Sequence, residues 1–101
     1  MKSRWFGAGL AMLLMTGFSA AQADEDGKKL FTSVVPACAL CHKLKDAGAT
    51  GEVGPSLDEL KPDQARIVKA LRNGIGQMPA FPQLTDAQVQ SLARYVEQAT
   101  R

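Results

Sequence analysis

The sequence predicts an all-α fold of three to four short helices separated by long loops. Three observations point there. Apolar residues recur at i, i+3, i+4 and i+7 in a segment near residue 30 and again near residue 90. Proline and glycine gather between the periodic segments, at 36, 54–55, 74–76 and 79–82. No stretch sustains the alternation of a half-buried strand.

The first helix is expected from Asp24 to Val35. Acidic residues precede Lys28 and Lys29, an order that complements the helix dipole. Gly27, Leu30, Phe31 and Val34 share one face, and Pro36 interrupts the pattern. Residues 46–55 are rich in glycine and small polar residues and read as a loop, followed by a short turn or helix carrying Leu57 and Leu60. Pro62 suits the first position of a helix running to Asn73, with Ala65, Val68 and Leu71 spaced at three and Gly74 as its C-cap. Residues 74–84 form a second loop. Thr85 and Gln88 have the spacing of a capping box, and Val89, Leu92, Ala93 and Val96 form the apolar face of the last helix.

Residues 1–23 read as a signal peptide. Lys2 and Arg4 supply a charged start, an apolar stretch runs from Trp5 to Phe18, and Ala21-Gln22-Ala23 is an A-x-A cleavage pattern. The apolar stretch is short of the roughly 20 residues a span needs. Cleavage therefore leaves residues 24–101 as one exported domain, periplasmic and with no stable membrane insertion. The full chain has 12 Lys+Arg against 10 Asp+Glu, a formal charge of +2. Lys2 and Arg4 leave with the leader, so the remaining charge balances to zero. The basic excess is thus no footprint of nucleic-acid binding, and no basic run is interleaved with aromatics. The domain that remains keeps one histidine, His42, and one methionine, Met78.

A domain of this size needs support beyond its apolar core, from a disulfide, a metal or a cofactor. Its long loops make sense if they wrap a large apolar group. Cys38-Ala39-Leu40-Cys41-His42 has the C-x-x-C-H spacing of covalent haem attachment. Each thiol adds to one haem vinyl group, and the adjoining imidazole reaches the iron as proximal ligand. A thioredoxin-like C-x-x-C belongs near a βαβ pattern, which the chain lacks. A structural zinc site takes four ligands, and only Cys38, Cys41 and His42 are at hand. A plain disulfide is the remaining alternative in an exported domain.

Met78 is the candidate second axial ligand, because Met/His ligation is the cytochrome c pattern. It lies in Gly74-Ile75-Gly76-Gln77-Met78-Pro79, outside any apolar stripe. A gap-filling core role, an open sixth site or a lysine ligand are the other possibilities. The second ring nitrogen of His42 needs an acceptor, and a backbone carbonyl of Val53-Gly54-Pro55 is the candidate. Pro55 makes a rigid wall there.

With these residues in place the sequence resembles the monohaem class I c-type cytochromes over the whole of residues 24–101. The resemblance rests on Gly27 and Phe31, the CALCH motif, Gly54-Pro55, Met78-Pro79, and Leu92, Tyr95 and Val96. It implies a small cytochrome c fold wrapped around one covalent haem c. Gly27 and Phe31 would cross against Leu92 and Tyr95, Pro55 would lie beside the proximal histidine, and Met78 would be the distal ligand. No tryptophan remains to contact a haem propionate, and Arg66, Arg72 or Asn73 are the substitutes. The stretch from Lys45 to Pro62 is also similar to small cytochromes that accept electrons from bacterial molybdenum sulfite dehydrogenases.

The implied function is one-electron transfer between a redox protein donor and acceptor, by a carrier that is not itself an enzyme. Phe31, Leu40, Leu57, Leu71, Phe81 and Leu84 are the candidate pocket residues, and Lys43 and Lys45 could face an acidic partner. The alternatives are a haem subunit of a dehydrogenase complex, or a haem enzyme or gas sensor with an open sixth site.

Overall fold

The computed structural model describes residues 20–101. The charged start and the apolar stretch of the expected signal peptide lie outside the described residues. Five helices follow in order: α1 (Ala20–Ser33), α2 (Cys38–Cys41), α3 (Leu57–Leu60), α4 (Gln64–Asn73) and α5 (Asp86–Ala99). Two of them, α2 and α3, are single turns, which is why the count exceeds the three or four expected. No described helix is long and apolar enough to cross a membrane.

The frame is the crossing of α1 and α5. A Cβ on Gly27 would come within 2.5 Å of the Ser91 carbonyl oxygen and would collide with the Tyr95 Cβ. Glycine is therefore what lets the two backbones touch. One helical turn further on, the Phe31 and Tyr95 rings meet edge to face with centroids 6.3 Å apart. Phe31, Val89, Leu92 and Ala93 are closed to solvent at this contact. The periodic positions Gly27 and Phe31 on α1 and Val89, Leu92, Ala93 and Val96 on α5 are thus buried, and Leu30 is half-buried. Helix α1 stops at Ser33, two residues before the expected end. Val35 precedes a proline, and that position disfavours helical backbone.

Helix α5 begins as its sequence predicts. The Thr85 hydroxyl accepts from the Gln88 amide at 3.1 Å, and the Gln88 side chain accepts from the Thr85 amide at 2.9 Å. Helix α4 begins later than expected. Asp63 is its N-cap, with extended backbone and a carboxylate that accepts from the Arg66 amide at 2.8 Å. Pro62 therefore stands outside the helix, not at its first position, because the aspartate supplies a side-chain acceptor that proline cannot. The Gln64 amide donates to the Glu97 carboxylate, which ties the start of α4 to α5. Gly74 closes α4 at its C-terminus, as expected.

The loop after the motif has more structure than its composition suggests. Lys43–Leu44 (β1) pairs antiparallel with Ala49–Thr50 (β2), in the register Lys43 to Thr50 and Leu44 to Ala49. A 3₁₀ turn over Lys45–Ala47 joins them. Leu44 is fully buried, and it fixes this hairpin to the core. The core is one cluster in which Leu44, Leu57, Leu71 and Phe81 join the α1–α5 face.

Candidate functional site

The attachment motif is built as a single helical turn. Cys38 and Cys41 are three apart in α2, so both side chains leave from one face of that turn. The His42 amide closes the turn on the Cys38 carbonyl at 2.9 Å. His42 itself is extended, with φ −115° and ψ 136°, so the imidazole departs from the helical direction of the thiols. Neither cysteine is in a disulfide. Burial pushes the Cys38 thiol up to about 11, opposed by a backbone hydrogen bond and reinforced by Cys41. Among the described residues no three His, Cys, Asp or Glu side chains gather as a metal cluster, which leaves the zinc alternative without a donor set.

The loop from Gly51 to Pro55 folds back over this turn. A Cβ on Gly51 would lie 2.7 Å from the backbone of Leu40 and Cys41. The Gly54 amide donates to the Cys41 carbonyl at 2.6 Å. A Cβ on Gly54 would sit 2.6 Å from Cε1 of His42, so the ring rests against bare backbone. His42 Nδ1 lies 2.8 Å from the Pro55 carbonyl oxygen. A carbonyl only accepts, so Nδ1 is the donor, and in the neutral ring the lone pair falls on Nε2. The acceptor is thus found within the three residues that the sequence singles out. Gly51 escaped the sequence reading, and its signal was only one more glycine in a loop already rich in them.

Met78 arrives from the other long loop. Ile75 and Met78 exchange backbone hydrogen bonds of 3.1 and 2.9 Å across Gly76 and Gln77. Gly76 has φ +54°, the conformation that the first central position of a primed hairpin turn demands. The Met78 side chain is half-buried against the core cluster, which Cys38 and Ala39 also contact. The two loops therefore converge on one apolar surface from different parts of the chain.

Of the expected pocket residues, Phe31, Leu57, Leu71 and Phe81 are buried, and Leu84 is half-buried against them. Leu40 is 67% exposed. It occupies a central position of the single turn α2, none of whose residues is buried. Arg72 pairs with Asp86 at 2.9 Å on the surface, so its guanidinium already has a carboxylate partner. Lys43 and Lys45 are exposed beside the motif.

A soft thioether, an imidazole with one nitrogen free, and two reduced thiols on one face form a donor set that fits a covalently held haem. Comparison with known proteins agrees. Residues 22–96 match the family model described as cytochrome C oxidase, cbb3-type, subunit III. The chain is 35% identical over 99 residues to a cytochrome c6 of Cyanidioschyzon merolae, covering 86% of this chain and 88% of that protein. It is similar in structure to the c-type cytochrome SorU of Sinorhizobium meliloti, with a TM-score of 0.78 and 48% identity, covering 79% of this chain and 93% of that one. With a single C-x-x-C-H motif to hold one covalent haem c, the chain belongs to the cytochrome c family as a monohaem class I cytochrome, an electron carrier and not an enzyme.

Proposed function

We propose that this protein is a periplasmic electron carrier whose haem is held by Cys38, Cys41, His42 and Met78, with Pro55 orienting the proximal ligand. Haem supplies the ferric/ferrous couple when bound. The two thiols of α2 would anchor it as thioethers, and Nε2 of His42 and the Met78 thioether would hold its iron. The observation that carries this reading is the 2.8 Å contact of His42 Nδ1 with the Pro55 carbonyl. It leaves Nε2 as the free donor and increases its basicity. The buried Phe31, Leu71 and Phe81 exclude water from the surface that Met78 touches. An apolar surround and a thioether ligand both favour the less charged, reduced state. The leader over residues 1–23, with cleavage after Ala23, supports a periplasmic location.

Replacing Met78 with alanine tests the ligand set. Ferrous wild type is expected to ignore carbon monoxide, and Met78→Ala to bind it. Ready binding by wild type would reject Met78 as the ligand and restore the open-site alternative. A haem stain on a denaturing gel, read with intact mass, tests the thioethers and the leader together. Mature protein with no haem adduct and a two-proton mass loss would return Cys38 and Cys41 to a disulfide.

The donor we infer is a molybdenum sulfite dehydrogenase. The support is the resemblance carried by Lys45 to Pro62, the stretch that forms the 3₁₀ turn, β2, the Gly51–Pro55 wall and α3. The exposed Lys43 and Lys45 adjoin it and suit an acidic docking face. Sulfite with such an enzyme is expected to reduce the ferric protein within the mixing time of a stopped-flow experiment. The description of the matched family as an oxidase subunit favours a second reading, a haem subunit of a larger complex. Purification from native membranes and periplasm separates the two: a carrier elutes alone and a subunit elutes with its partner.

A further inference from the structure

Two hydrogen bonds cross the loop that follows the motif, and they are in register. His42 Nδ1 donates to the Pro55 carbonyl at 2.8 Å, and the Lys45 amide donates to Asp58 Oδ2 at 2.9 Å. Both span 13 residues, so the second lies three positions further along on each side. Between them stand Leu44 on one side and Leu57 on the other, both buried in the common core. Packing leaves these short connecting segments no slack. Asp58 belongs to the first turn of α3, and Ser56, the N-cap of that helix, directly follows Pro55. Where α3 sits therefore decides where the Pro55 carbonyl points.

We propose that Asp58 is a positioning residue for the axial histidine. Its carboxylate fixes α3 to the backbone that leaves His42, and so keeps the Pro55 carbonyl on Nδ1. The inference rests on the reading of His42 as the proximal ligand. It assigns to a side chain outside the attachment motif control over the orientation and basicity of that ligand.

The test uses ferrous holoprotein and reads hydrogen exchange of the His42 Nδ1 proton by NMR, together with the midpoint potential. In Asp58→Ala the proton is expected to exchange roughly tenfold faster, the scale of one lost charge-assisted hydrogen bond. In Asp58→Asn the amide oxygen still accepts from Lys45, and exchange is expected to stay within about twofold of wild type. Both variants lose one negative charge, so both potentials rise. A further rise in Asp58→Ala over Asp58→Asn is the positional part, because a weaker Nδ1 bond makes a less basic ligand. Asp63→Ala removes the N-cap of α4 without touching this loop and controls for general loosening. Equal exchange in Asp58→Ala and Asp58→Asn, or equal acceleration in Asp63→Ala, overturns the proposal.

If Asp58→Ala does not accumulate, wild type decides. Coupled openings give the Lys45 amide and the His42 ring proton one common denaturant dependence. A freely exchanging Lys45 amide beside a protected ring proton overturns the proposal. A wild-type His42 proton without the ring-current shift of an axial ligand counts instead against the ligand reading itself.

Discussion

The α1–α5 crossing and the loops that carry the site are held by different physics. At the crossing, backbones touch through Gly27, and Phe31, Leu92 and Tyr95 are closed to water. Contact there is apolar and dense, and its strength comes from area removed from solvent. The loops around His42 reach that core through a few side chains, Leu44, Ala49 and Leu57 among them. They are held by single hydrogen bonds, from Gly54 to Cys41, from His42 to Pro55 and from Lys45 to Asp58, and by glycines that make room. A packed frame thus carries a site whose geometry is set by a few directed bonds. The first region decides whether the chain folds, and the second decides what its histidine does.

This contrast can be broken from either side. Gly27→Val drives a branched side chain into Ser91 and Tyr95 and is expected to cost about 3 kcal/mol of stability in denaturant titration. Where the holoprotein survives, its visible spectrum should match wild type, because no ligand is touched. Gly54→Ala is the converse. Its Cβ lands on the imidazole, so stability is expected to fall by only about 1–2 kcal/mol while the midpoint potential shifts. A spectral change in the first variant, or an unshifted midpoint potential in the second, would falsify the division.

Tyr95 joins the two regions. Its hydroxyl donates to Asp46 Oδ2 at 2.6 Å, and Lys28 lies 3.7 Å from the same oxygen. Burial first, and then Asp46, which accepts that hydrogen bond, raise the Tyr95 pKa above its ordinary 10. The folded state therefore holds this proton more tightly than the unfolded chain. Its stabilising contribution is complete below pH 10 and is lost as pH climbs through the folded value. Tyr95 is the sole tyrosine in the sequence, so tyrosinate absorbance follows it alone. Tyr95→Phe is expected to cost about 1.5 kcal/mol at neutral pH and to flatten the alkaline fall in stability.

The smallest expected effect lies at the end of α3. Lys61 closes that helix with φ 47°, the left-handed region that side chains avoid. Lys61→Gly is expected to stabilise the protein by about 0.5–1 kcal/mol and to leave the potential unchanged.

The two regions also differ in how much the sequence reveals of them. Helix α5 is legible from Thr85 to Val96, because capping and periodicity are local and agree with each other. The attachment motif is legible because thioether chemistry demands its spacing. The acceptor for His42 narrowed to three residues, yet Pro55 itself required a fold. Other elements left no local trace. A pair of two-residue strands is too short to show alternation, and α2 is one turn. The bonds from Tyr95 to Asp46 and from Lys45 to Asp58 join positions 49 and 13 residues apart, where neither partner looks unusual beside its neighbours.

The crossing has a consequence for the order in which the molecule is made. Gly27 and Phe31 meet Ser91 and Tyr95 of Asp86–Ala99, the last helix described. A nascent or translocating chain thus carries Cys38 and Cys41 before the helix that completes the frame can dock. Closing so long a loop is slow and comes late. During that interval the thiols and His42 belong to an open chain, accessible to whatever installs the haem. Helix α5 is thus the last element to reach the frame that it completes.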